Sequence, residues 1–333
     1  MTAIAWEQAW AAALYGPGGF FTGGGGPADH FRTAVHAAPQ PLARALLRLA
    51  RDHGCSRVLD VGAGRGELLT ALAALPEAAD LMLHGVDVVA RPPSLPPRAG
   101  WSAHLDAVPP EAFAGALVVA WELLDDVPCP VLEVDDDGVL RTVLVDPATG
   151  RESHGDPASA QEHAWCERWW PLDGAEPGDR AEVGLPREAL WAGLVSRAAA
   201  APGHAVLLAV DYHHTRDERP PIGTLTGFRG GRAVPPVPDG RCDVTAHVAL
   251  DAVAAAGERA GAATTRLTDQ RTALLELGVR GDVAGQDAAP GDAAAGPGSG
   301  GKLLRALAHR SAVAELLDPG ALGGFGWLSQ SLP

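Results

Sequence analysis

Apolar residues recur along this chain with two periods. Residues 3–14 set Trp6, Trp10 and Leu14 on one side of a 3.6-residue repeat, and PQPLARALLRLARDHG (39–54) does the same up to Gly54, so both read as helices. Between them YGPGGFFTGGGGPADHF breaks all periodicity and reads as a flexible lead-in loop. Short, nearly continuous apolar runs follow: RVLDV (57–61), LMLHGVD (81–87), GWSAHL (100–105), ALVVAWEL (116–123) and HAVLLAVDYHH (204–214), and ATTRLTD (263–269) reads as a sixth strand. Runs of this length, with helical segments such as GELLTALAAL between several of them, predict buried strands in a parallel, doubly wound sheet. The segment 90–99 joins two strands as a Pro-rich loop.

Other segments depart from that alternation. PVLEVDDDGVLRTVLVD reads as a hairpin turning at DDDG. LPREALWAGLVSRAAAA, QRTALLELGV and KLLRALAHRSAVAELL read as helices, and DVTAHVALDAVAAAGERAG as a helix from about Val244, capped by its Asp or Thr. Residues 215–242 read as a long loop, 281–301 as a low-complexity, disordered one, and GGFGWLSQSL as a last edge strand. The expected organisation is residues 1–54 as N-terminal helices and lead-in over the site, 55–146 as the nucleotide-binding half of the core, 147–200 as an inserted cap, and 201–333 as the second half.

Charge and composition narrow the function. With 333 residues and 47% hydrophobic content the chain can bury a large core. Twenty-six Lys+Arg against 41 Asp+Glu give a net charge of −15, which argues against nucleic acid as the main partner. No apolar run approaches the roughly 18 residues of a membrane span, and the N-terminus lacks the basic region of a signal peptide. Cys55, Cys129, Cys166 and Cys242 are widely spaced without a CxxC, so the expectation is reduced thiols in a cytoplasmic protein and no metal site.

The chemistry centres on VLDVGAGRGELL (58–69). Gly62, Gly64 and Gly66 form GxGxG after a strand and before a helix. A dinucleotide fingerprint needs its third glycine where Glu67 stands, and a phosphate-binding P-loop needs a lysine that is absent. Asp60 would repel a pyrophosphate but attract an ammonium. Asp87, ending the next strand, can hold both hydroxyls of a ribose. S-adenosylmethionine (SAM), with an ammonium and no phosphate, fits best. Asp106 is either an acceptor for the adenine amino group or plain loop. Glu122 and Asp125 follow the fourth strand, where an acceptor would meet the methyl, and equally suit an acidic helix start. His247 is either a general base or a satisfied histidine. Trp121 directly precedes Glu122 and could wall a flat or cationic acceptor.

Beyond the glycine turn, the chain resembles the MidA-like SAM-dependent methyltransferases, relatives of the mitochondrial complex I assembly arginine methyltransferase. The resemblance runs through DHFRTAVHAAP with Phe31 and Thr33, VLDVGAGRGELL, AWELLDDVP with Glu122, Asp125 and Pro128, AVDYHH, GTLTGFRGGR, DVTAHV and TDQRTALLELGV. Its Ala, Gly and Arg bias is similar to an actinobacterial-type branch. Where the family usually has Asn this chain has Trp121, and where it carries Ser-Pro-Glu this chain has Ala34, Val35 and His36. The resemblance implies an α/β class I SAM-methyltransferase (Rossmann-like) fold with added helical and hairpin insertions. It implies Thr33 among the cofactor-contacting residues, and a protein or peptide substrate with arginine nitrogen the leading acceptor. A small-molecule O- or N-methyltransferase and a non-catalytic assembly factor with a SAM pocket stay open, as does a homodimer.

Overall fold

The structure, a computed structural model, describes residues 3–23, 33–172, 174–280 and 299–333. A short strand β1 (Ile4–Ala5) enters helix α1 (Trp6–Tyr15), and α2 (Ala34–Ala37) and α3 (Pro39–Asp52) precede β2 (Arg57–Val61). Then come α4 (Glu67–Ala73), β3 (Met82–Val86), β4 (Gly100–Ser102) and β5 (Ala116–Trp121). The next block is β6 (Val131–Val134), β7 (Leu140–Val145), β8 (Glu152–Pro157), α5 (Ala160–Trp169) and β9 (Arg180–Glu182). It is followed by α6 (Leu185–Ala200), β10 (Val206–Asp211), β11 (His213–His214), β12 (Thr226–Arg229), β13 (Arg232–Val234), β14 (Asp243–Thr245) and β15 (Val248–Ala249). The chain ends with α7 (Leu250–Arg259), β16 (Thr264–Asp269), α8 (Gln270–Glu276), α9 (Ser299–Leu316) and β17 (Gly326–Ser331).

The main sheet has seven strands in the order β16-β17-β10-β5-β2-β3-β4. Strands β10, β5, β2, β3 and β4 run parallel, and β17 runs antiparallel to both β10 and β16. Apolar residues on both faces of each central strand explain this placement. In β5, Leu117, Val119 and Trp121 join the core under α3, α4 and α8, while Ala116, Val118 and Ala120 join the core under α6 and α7.

A second, antiparallel sheet, β1-β7-β6-β9 with β8 on β7, stands beside the first. The DDDG hairpin forms here. Asp135 Oδ1 accepts the N–H groups of Asp137 (3.0 Å) and Val139 (2.8 Å), and Gly138 takes φ 77°. Trp6, Trp10 and Leu14 of α1 pack on Val131, Val143 and Val145 of this sheet, and Trp165 and Trp170 pack on Leu132, Val134 and Leu140. The boundary expected at residue 146 falls between β7 and β8, which pair with one another.

Four expectations need correction. The segment after Arg241 is not helical from Val244: Asp243–Thr245 pairs with β12, and the helix begins at Leu250. Its apparent cap residue, Thr245, is buried and spends its hydroxyl on Asp125. Residues 215–242 are not all loop, because the Gly230–Gly231 turn, both residues at positive φ, closes the β12–β13 hairpin. The last strand is not at the edge: β17 lies between β10 and β16. Within the lead-in, Phe20 and Phe21 donate their N–H groups back to Ala13 and Leu14 carbonyls, and Phe20 is buried. Residues 24–32 and 281–298 lie outside the described residues, so the loop expected over 281–301 is described only where α9 begins, at Ser299. Among the described residues no helix is long and apolar enough to cross a membrane, and all four cysteines are free and buried.

Candidate functional site

The glycine turn caps β2 where that strand meets its parallel neighbours. Gly62, Gly64 and Gly66 take φ 76°, 55° and 72°, the left-handed region that side chains disfavour. A Cβ at Gly62 would lie 2.7 Å from Leu123 Cδ1, and one at Gly66 2.8 Å from Leu95 Cδ1, so a side chain there would also have to displace the leucine ends packed on the turn. Asp87, just past β3, accepts the N–H of Gly64 on Oδ2 (2.8 Å) and of Val89 on Oδ1 (3.0 Å). Glu67 Oε2 accepts the N–H of Arg65 (2.9 Å). Asp60 is buried at the turn, and burial, with the Asp87 and Glu67 charges, pushes its carboxyl up to about 8. Val88 is 52% exposed beside this turn, an apolar surface that periodicity gave no reason to single out.

The second half of the site lies at the ends of β5 and β10. Glu122 adopts φ 49°, with its N–H on the Val210 carbonyl (2.8 Å) and its Oε1 accepting the N–H of Ala34 (2.8 Å). Burial pushes its carboxyl up to about 8, against the opposing effect of the Ala34 N–H, and Asp125 adds to the rise. Asp211, ending β10, accepts the N–H groups of Leu124 (2.8 Å) and Asp125 (3.2 Å) on Oδ2 and so fixes the turn after Glu122. Asp125 Oδ2 accepts the Thr245 hydroxyl at 2.7 Å.

Behind this turn Asp126 and Asp243 join Asp125 and Asp211. The Oδ1 atoms of all four are buried without a donor. Burial first, then charges within the group (Asp125 acting on the other three), hold Asp126, Asp211 and Asp243 well above the usual carboxylate range. Burial also raises Asp125, against the Thr245 hydroxyl and the Arg187 charge. Arg187 is the buried cation here. It donates to the carbonyls of Asp125 (2.9 Å), His247 (2.8 Å) and Val127 (3.1 Å) and lies 5.6 Å from the Trp10 ring centre.

His247 stacks on Tyr212 with centroids 5.5 Å apart and an angle of 17°, and the backbone N–H of His247 donates to Thr224 Oγ1 at 2.9 Å. Burial, with His213 and Arg187, lowers the pKa of its imidazole, leaving the ring neutral near pH 7. Among the described residues no group of three or more His, Cys, Asp or Glu is arranged to hold a metal ion.

The structure therefore gathers Asp60, Gly62, Gly64, Gly66 and Asp87 at one turn. Glu122 and Asp125 follow the end of β5, and Thr33 lies at the start of α2, which bridges to both places. Two expected residues stand elsewhere. Asp106 sits on an exposed turn with its side chain 86% accessible, paired with Arg197. The Trp121 ring is buried edge-on against Trp327, centroids 5.6 Å apart, and lines the core instead of an acceptor wall. The aromatic surface near Glu122 belongs to Tyr212 and His247. Asp211 and Arg187 escaped the sequence reading, and His36 was visible there only as a departure from the family's Ser-Pro-Glu run. The acid ending the apolar run VLLAVD was the one available signal for Asp211.

Residues 41–268 match a family described as "Putative S-adenosyl-L-methionine-dependent methyltransferase". A COG1565 superfamily member from Burkholderia thailandensis, crystallised with S-adenosyl-homocysteine, is similar in structure with a TM-score of 0.76 at 27% identity, covering 99% of this chain and 88% of its own. A native crystal structure of a COG1565 superfamily protein from the same organism gives 0.73 at 27% identity, covering 99% and 87%. No curated protein matches the chain.

Proposed function

Because the chain belongs to this family of SAM-dependent methyltransferases, with the class I fold and SAM as cofactor, we propose that it methylates a protein or peptide side chain, arginine nitrogen foremost. SAM supplies a methyl group already activated by its sulfonium. The residues of the first turn suit it. Asp60 is a buried carboxyl ready to ionise beside an ammonium, three glycines let the backbone approach, and no lysine or phosphate-binding pattern competes. Asp87, holding the turn through Gly64, stands where ribose hydroxyls would meet it, and exposed Val88 offers an apolar face for a base.

On the acceptor side the chain's work is to hold a nitrogen in line and remove its proton. As the new N–C bond forms and the S–C bond breaks, the bonding pair returns to sulfur and the nitrogen sheds a proton. Glu122, with its carboxyl raised to about 8, is poised near the operating range for accepting that proton. Asp125 supports it, and neutral His247, stacked on Tyr212, is a second proton acceptor. What supports a cationic acceptor is the gathering of Glu122, Asp125 and Asp211 at the ends of β5 and β10. A bound guanidinium would stabilise their ionised forms, and its lone pair becomes available only once a carboxylate takes its proton.

The test is transfer of isotope-labelled methyl from SAM into a lysate, followed by mass mapping. Label on arginine in a protein supports the proposal. Label confined to small molecules replaces it with a natural-product methyltransferase. Bound S-adenosyl-homocysteine with no transfer to either replaces it with a non-catalytic assembly factor.

A further inference from the structure

Helix α2 touches both halves of the site. Its first residue, Ala34, donates to Glu122, as described, while His36 reaches the opposite side. His36 Nδ1 lies 2.6 Å from Thr33 Oγ1, and Nε2 lies 3.4 Å from Glu67 Oε1. Glu67 is itself part of the glycine turn. Its other oxygen takes the Arg65 N–H, and a Cβ on Gly64 would stand 3.3 Å from that same oxygen. One carboxylate is thus shared between the backbone that must receive the cofactor and an imidazole from the lead-in.

Building on the SAM reading above, we propose that His36 is a positioning residue for the cofactor. It holds Glu67 against the turn and seats α2 across the cofactor and acceptor halves. The hydrogen-bond inventory fits this role. Thr33 Oγ1 accepts the His36 backbone N–H, so its own proton is free for Nδ1, and Nε2–H is then the donor toward Glu67. The pair contributes little to global stability, because both side chains are 30% accessible. Its effect falls on the geometry of Gly64 and Arg65, where small displacements alter the pocket. Periodicity gave no hint of this, since His36 sits in a short Ala-rich segment.

The experiment is titration calorimetry of the full chain with S-adenosyl-homocysteine, beside thermal unfolding without ligand. His36→Ala and Glu67→Gln are each expected to weaken binding by about 5-fold, the size of a partly exposed charge-assisted contact. The double variant should bind no worse than the weaker single one, because both changes break one contact. His36→Gln, which keeps an N–H within reach of Glu67, should recover most of the affinity. The ligand-free Tm of His36→Ala should stay within about 2 °C of the parent. Unchanged affinity in both single variants, additive losses in the double, or a loss that merely tracks a lowered Tm overturns the role of His36. Failure of the parent chain to bind S-adenosyl-homocysteine would instead remove the cofactor reading on which it rests.

Discussion

Glu122 adopts a conformation that costs a non-glycine residue about 1–2 kcal/mol. Its surroundings impose it: the β5–β10 ladder fixes one side, and Asp211 gathers the N–H groups of Leu124 and Asp125 on the other. The same burial makes Glu122 hold its proton more tightly folded than unfolded. Folding therefore favours the protonated form, and stability falls as pH rises from the ordinary carboxylate range toward about 8. Glu122→Gln keeps an oxygen for the Ala34 N–H and cannot ionise. Its stability curve should be flatter than the parent's between about pH 5 and 8, and methyl transfer should drop by about 100-fold. Parallel Tm–pH curves for the two proteins would refute the buried-proton account. At this scale the left-handed turn was legible in the spacing of the three glycines. The sequence misled at Trp121. Strict alternation along ALVVAW puts that ring on the face of Leu117 and Val119, so period two alone already pointed it into the core.

At the scale of elements, the turn after β5 is held by helix α6 through Arg187. This side chain satisfies three carbonyls from two separate segments and is the buried cation beside four raised carboxyls. Arg187→Met would keep much of the volume yet leave those carbonyls without donors and the acids without a counter-charge. The expected loss is about 3 kcal/mol in urea unfolding. A loss below about 0.5 kcal/mol would mean that water replaces the guanidinium. The central parallel strands β2, β5 and β10 were legible as apolar runs because they are buried on both faces. The β12–β13–β14 sheet was not. Its strands are three or four residues long, and β14 pairs with β12 from the far side of a loop. Local pattern carries no record of such pairing, so DVT read as a cap when its threonine serves Asp125.

For the whole molecule, residues from both ends complete structures begun in the middle. Strand β1 pairs with β7, and β17 fills the place between β10 and β16. Sequence order could not reveal this, because an apolar tail fits an edge as well as an interior position. Removing residues 326–333 would expose two strand edges and open both cores at Trp327 and Leu328. The shortened chain is expected to aggregate or to lose its cooperative urea transition. A soluble truncation with a parent-like transition would show that β16 can pair directly with β10. The position of β17 also has a meaning in time. A chain made from its N-terminus can assemble the glycine turn and β2, β3 and β5 before β17 exists, but the slot between β10 and β16 stays open until Gly326–Ser331 has been made. Commitment to the native sheet therefore waits for β17, and the half-built sheet is the species a chaperone would meet.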